Sequence, residues 1–229
     1  MLTQLAGDYP RVPHRNVRPL ALRAWTHLPR FLESPLHGPS VESFDAAAGW
    51  LDKHCGPNTP LVIDSGCGTG MSTATLARMH PNAAVLGVDR SAARLAKSHT
   101  LPSNALLVRA ELATFWRLML HTEACGGPLS AARVSHHFLL YPNPYPKPSR
   151  LNLRWHGHPA LPMLLAIGAR VEVRSNWYIA PLTWAHDAAS PSPSSIHGSV
   201  SLTSPSQAHL SRRIRPGSRA RSGAFQRRQ

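Results

Sequence analysis

The chain has 229 residues, the size of one domain, or of one domain with long ends, and too short for a multi-domain enzyme. Charged residues make only 16% and there are 22 prolines, so part of the chain is expected not to pack, while 25 Lys+Arg against 11 Asp+Glu (net +14) favours a polyanionic partner over a cationic one. Three cysteines, Cys55, Cys67 and Cys125, form no C-x-x-C pair, which excludes a disulfide framework or zinc ribbon and favours a reducing compartment; with no run of about 20 apolar residues, no membrane span is expected and a soluble, cytoplasmic protein is.

Residues 1–58 read as a basic, proline-rich arm plus one helix. Pro10, Pro13, Pro19, Pro29, Pro35 and Pro39 argue against long helices before residues 41–54. From 59 to 185 short β-rich runs alternate with helical stretches. Strands are expected at 61–64, 84–89, 104–110, 133–141 and 169–177, and helices at 71–80, 91–99 and 111–122, with broken helical content over 150–168. Five strands in this order predict right-handed crossovers and an α/β, doubly wound, mostly parallel sheet. Residues 186–229, rich in Ser, Pro and Arg and poor in apolar side chains, are expected to be a disordered tail.

The most informative stretch is Leu61-Val-Ile-Asp-Ser-Gly-Cys-Gly-Thr-Gly70, a strand ending at Asp64, then glycines at 66, 68 and 70, then a helix. A dinucleotide fingerprint needs a glycine where Met71 stands. The spacing resembles motif I of the class I S-adenosylmethionine (SAM) methyltransferases, which implies a Rossmann-like core with SAM as cofactor. Gly66, Gly68 and Gly70 then cradle its amino-acid end, and the Asp64 carboxylate faces its ammonium. Asp89 ends the second strand, 23 residues beyond Gly66, where a carboxylate accepts from two ribose hydroxyls. Glu111 closes the third strand, near the adenine.

At the end of the fourth strand, Tyr141-Pro-Asn-Pro-Tyr-Pro-Lys147 resembles the F-P-D-P-W-P-K signature of the tRNA (guanine-N7)-methyltransferases, and Arg174-Ser-Asn-Trp177 resembles that family's T-D-W. The resemblance spans about residues 61–178 and implies methyl transfer to N7 of a tRNA guanine. It gives Asn143 the catalytic position, in contact with both SAM and substrate, and makes Lys147 and Asn176 substrate contacts. A corner stiffened by proline also lets the Tyr145 ring face a flipped base. Guanine N7 carries a lone pair and no proton, so orientation matters more than a general base. Family members carry a carboxylate where this chain has Asn143, and the lost charge predicts weaker guanine catalysis or an altered substrate. The family's last two strands and its Thr- and Glu-bearing substrate motif have no counterpart. The chain therefore reads as a truncated or tail-altered relative, with its fifth strand at a sheet edge. Two other classes stand beside this one: a SAM methyltransferase of the same fold acting on a small molecule or another nucleobase atom, and a catalytically impaired RNA-binding relative.

Among the remaining residues, the pairs His136–His137 and His156/His158 lack acids at ligand spacing, so no metal is expected. Trp155 and Trp177 read as core or crevice walls, Cys67 as a small spacer in the glycine turn, and Arg150 with Arg154 either as an RNA entrance or as a solvent face. Oligomeric state is not legible.

Overall fold

In the computed structural model, residues 17–143, 145, 147–167, 170–175 and 198–203 are described. Two long helices, α1 (Val17–Glu33) and α2 (Gly38–His54), precede an alternation of strands and helices. This runs β1 (Leu61–Ser65), α3 (Met71–Met79), β2 (Ala84–Asp89), α4 (Ala92–Leu95), β3 (Ala105–Arg109), α5 (Leu112–Cys125), β4 (Val134–Leu140), α6 (Leu161–Ala166), β5 (Arg170–Ser175) and β6 (Gly198–Thr203). The sheet order is β3-β2-β1-β4-β5-β6, with the first five strands parallel and β6 antiparallel to β5. The order reverses at β1, with β2 on one side and β4 on the other. This is the switch point at which a Rossmann-like, doubly wound sheet opens its ligand crevice.

Alternation along the strands separates two apolar layers. Leu61 and Ile63 face the larger core, built with Leu86, Val88 and Val108 against Phe44, Ala47 and Leu51 of α2, Phe115, Trp116 and Met119 of α5, and Met163 and Leu164 of α6. Val62 and Val85 face the smaller layer with Leu76 and Ala77 of α3 and Phe138 of β4. Every residue of β1 and β2 is buried, as central parallel strands covered on both faces require. Among the described residues, no helix is long and apolar enough to cross a membrane.

Two sequence expectations are corrected. The proline-rich stretch before residue 41 contains α1, a 17-residue helix, and α2 begins at Gly38. Pro19 falls in the first turn of α1 and Pro39 in that of α2, where backbone N–H groups have no intrahelical acceptor, so neither opposes a helix start. Pro29 lies inside α1, beyond its middle. The end of α1 is held from outside, because the Arg117 guanidinium of α5 donates to the carbonyls of Leu32 and Ser34. Ala24 and Leu28 bury that helix in the larger core.

The second correction concerns β5, which is not a sheet edge. Residues 198–203, inside the segment expected to be disordered, form β6 and pair Val200 with Val173 and Leu202 with Val171. The Ser-rich composition of Gly-Ser-Val-Ser-Leu-Thr hides a two-residue alternation that suits a strand.

Candidate active site

β1 delivers its chain into a turn with three glycines in the left-handed region, Gly66 at φ 78°, Gly68 at 62° and Gly70 at 79°. L side chains rarely adopt these angles, which is why glycine stands at all three. The turn is tied to β2: Gly66 and Cys67 N–H donate to the Val88 carbonyl (2.7 and 3.2 Å), and Gly68 N–H donates to Asp89 Oδ2 (3.0 Å). A Cβ on Gly70 would lie 2.9 Å from Leu107, whereas one on Gly66 would meet no atom within 4 Å. The turn is thus closed on its sheet side and open at Gly66.

Asp64, 1% exposed, projects under this turn. Its Oδ2 accepts from Ser72 Oγ (2.6 Å) and Thr73 Oγ1 (2.7 Å), both in the first turn of α3. Its Oδ1 is buried with no partner. Burial raises its pKa above the ordinary carboxylate range; the two hydroxyls partly offset this, and the nearby Asp89 charge adds to it. A buried, half-satisfied acceptor is costly unless a donor arrives. Gly87, opposite Asp64 in β2, makes the arrangement possible, since a Cβ there would lie 2.3 Å from Thr73 Oγ1.

Asp89, also buried, accepts from Ser91 N–H at Oδ1 (2.8 Å) and from Gly68 N–H at Oδ2. Each oxygen keeps a further lone pair. The exposed Arg94 side chain reaches Oδ2 at 3.5 Å, a loose contact. Glu111 has a structural role that the sequence reading did not include: both carboxylate oxygens cap α5, accepting from Ala113 N–H (3.1 Å) and Thr114 N–H (2.7 Å). Its own N–H donates to Ser40 Oγ of α2 (2.8 Å), which fixes the corner after β3.

The rim beyond β4 has another character. Tyr141 and Tyr145 adopt φ 50° and 42°, and Tyr145 N–H donates to Asn143 Oδ1 (3.2 Å). Asn143 and Lys147 are exposed and Tyr145 is half-buried. Arg154, 6% exposed, donates through Nε (3.2 Å) and Nη2 (3.1 Å) to the Tyr145 carbonyl; it is neither an entrance residue nor a solvent-facing one. Arg150 is exposed, and Trp155 is half-buried against Trp116 and His158. Asn176 and Trp177 lie outside the described residues.

Two buried groups are excluded from acid–base chemistry. Cys67 has its pKa pushed up to about 12 by burial and by Asp64 and Asp89, so its thiol stays protonated. His137 of β4 is fully buried, and its pKa falls to about 4 by desolvation. Ser65 Oγ accepts from Trp116 Nε1 (3.2 Å) and so donates to His137 Nε2 (2.8 Å), locking a neutral imidazole behind β1.

Hydrogen bonds thus tie Asp64, Asp89 and the turn of Gly66, Gly68 and Gly70 together after β1 and β2, while Asn143, Tyr145 and Lys147 follow the carboxyl end of β4. Sequence reasoning missed Ser72, Thr73 and Gly87, and it read Arg154 without its buried contact to the Tyr145 carbonyl. Hydroxyls in the helix turn after a glycine loop were a usable signal for the first two; Arg154 had none.

No protein-family model matches the chain. It is similar to the trans-aconitate 2-methyltransferase of Deinococcus radiodurans, 62% identical over 37 residues, which are 16% of this chain and 14% of that protein. It is also similar to the trans-aconitate 2-methyltransferase of Escherichia coli O1:K1 / APEC, 30% identical over 86 residues, 38% of this chain and 34% of that one. The matched stretches thus span about a third or less of these curated relatives. Among solved structures, the antibiotic-resistance methyltransferase Kmr is 19% identical, covering 58% of this chain and 64% of that one with a TM-score of 0.38, a likeness too slight to bear on function.

Proposed function

We propose that this chain is a SAM-dependent methyltransferase and that its substrate is a guanine in tRNA, methylated at N7. The observation that carries the first part is the unpaired, buried Asp64 Oδ1 beneath an open turn of three left-handed glycines. An amino group with several N–H donors fits that acceptor, and the absence of a Cβ at Gly66 leaves room for the rest of an amino acid. Asp89, held by two backbone N–H groups, has lone pairs directed to a ribose diol, with Arg94 moving aside. Glu111 caps α5 with one lone pair of each carboxylate oxygen and keeps the others for the adenine end of the cofactor. When bound, the cofactor supplies an electrophilic methyl group on a sulfonium.

The guanine reading rests on the corner of residues 141–147 and on cationic charge. No Asp or Glu occurs between residues 124 and 171, while Lys147, Arg150 and Arg154 do. Lys147 meets a phosphate or guanine O6, and Tyr145 stacks on the base. No general base is required at N7, which agrees with a buried, neutral His137. Asn176 is retained as a substrate contact.

A second reading, a small polycarboxylic acid as substrate, is favoured by one contact. Asn143 Oδ1 already accepts from Tyr145 N–H, so its amide presents N–H donors outward, suited to a carboxylate as much as to a base. The curated relatives are trans-aconitate methyltransferases. Incubating the full chain with labelled SAM and either unmodified tRNA or trans-aconitate, followed by mass spectrometry of nucleosides and acids, separates the readings. The first predicts 7-methylguanine in tRNA; methyl ester without modified tRNA replaces it by the second.

A further inference from the structure

The corner after β4 combines two features that each cost stability. Tyr141 and Tyr145, both bulky, sit at positive φ, where such residues are strained. Arg154 is buried to 6% exposure, and among the described residues it has no ion pair. Withdrawing a guanidinium from water is expensive unless its donors are well used. Here Nε and Nη2 converge on one acceptor, the Tyr145 carbonyl. The Tyr145 N–H is meanwhile taken by Asn143 Oδ1, so residue 145 is pinned at both ends of its backbone. The arginine is itself anchored. Its carbonyl accepts from Gly157 N–H (2.9 Å), and the adjoining Trp155 packs on Trp116 of α5 with ring centroids 4.9 Å apart. A continuous path of contacts thus runs from the packed core through Arg154 to half-buried Tyr145 and exposed Asn143.

We infer that Arg154 is a positioning residue: through the Tyr145 carbonyl it holds the strained corner in the conformation that presents Asn143 and Tyr145 to the substrate. The inference rests on the methyl-transfer reading for its kinetic consequence, but not for its structural one. A neutral residue of similar length leaves the carbonyl without its donors and lets Tyr145 relax toward negative φ, which misorients both side chains. A misplacement of about an ångström is enough to cost on the order of 100-fold in rate. SAM binding is largely spared, because Asp64, Asp89 and the glycine turn between them stand apart from this corner and Asn143 is the one cofactor contact that moves.

The test uses R154M and R154K in the full chain with three readouts: SAM affinity by calorimetry, steady-state transfer to tRNA or trans-aconitate, and the rate of trypsin cleavage after Arg150. For R154M the expected result is SAM affinity within about twofold of the parent, kcat lower by about 10–100-fold with KM less affected, and cleavage faster by about tenfold. R154K, with one end donor able to reach the carbonyl, recovers part of the loss in kcat. If R154M does not fold, R154K decides alone, with an intermediate kcat and faster cleavage expected. Parental kcat and cleavage in the variant that folds overturn the inference, as does a loss of SAM affinity equal to the loss of kcat. If the parent transfers methyl to neither substrate, the reading of activity fails, and the cleavage arm still judges Arg154: acceleration supports it, and an unchanged rate overturns it.

Discussion

The two halves of the sheet rim are built on opposite plans. On the β1–β2 side the functional groups are acids, buried and fixed by short hydrogen bonds from Ser72, Thr73, Gly68 and Ser91. On the β4 side they are an amide and cations, exposed, on a strained corner held by one buried arginine. The first half has a single unmet requirement, Asp64 Oδ1, and so is preorganised for one ligand. The second half defines a charge preference and an orientation but few fixed contacts. On the proposed reading, recognition of a common cofactor is therefore written in buried geometry, and recognition of substrate in electrostatics and loop conformation. Variants on each side should fail differently.

The largest effect is expected at Asp64. D64N removes the charged acceptor and should weaken SAM binding about 100-fold, measured by calorimetry. The same change should leave the ligand-free melting temperature unchanged or raised at neutral pH. The sign follows from linkage: the folded-state pKa is raised, so the fold binds the proton more tightly than the unfolded chain. Ionised Asp64 therefore costs stability above its folded pKa, and that stability returns as the pH falls toward the ordinary carboxylate range. D64N should lose this pH dependence.

His137, behind the junction of the two halves, predicts the opposite slope. Its folded pKa lies near 4, below the ordinary imidazole value of 6.5. The unfolded chain binds the extra proton first, so stability is full above the unfolded pKa and falls as the pH drops from 6.5 toward 4, by roughly 3 kcal/mol across that window. Urea titrations at several pH values should show this loss, and H137Q should flatten the curve over the same range.

A smaller effect should separate packing from chemistry. G87A places a Cβ against Thr73 Oγ1 and should cost about 1–3 kcal/mol while weakening SAM binding through the displaced hydroxyl, read by thermal melts with and without SAM. The mildest change is on the substrate side. N143D retains an acceptor for Tyr145 N–H and adds a charge, so transfer to tRNA should rise by up to about tenfold, with a smaller change in SAM affinity. An unchanged or reduced rate on tRNA speaks for the polycarboxylic acid.

What was legible in the sequence follows the same division. β2 was expected at 84–89 and runs Ala84–Asp89, and the glycine turn with its two acids was readable because left-handed backbone and strand-end acids leave fixed spacings. α1 was not readable, since Pro29 weighs against a helix locally while the Arg117 contacts that hold its end come from more than 80 residues away. β6 was masked by Ser-rich composition, although its alternation was present. Glu111 follows β3 as expected, but its capping role appears only once α5 is seen to start at Leu112. Arg154 was read with Arg150 as an RNA entrance or a solvent face, but the chain runs through 3-10 turns there and the Arg154 side chain is buried.

The account stands on the glycine turn and Asp64 forming a cofactor site. Calorimetric titration of the folded full chain with SAM, run beside D64N, tests this most directly. Saturable one-to-one binding by the parent and its loss in a D64N variant that melts no lower is the predicted result. No binding at millimolar SAM, or equal affinity in D64N, contradicts it.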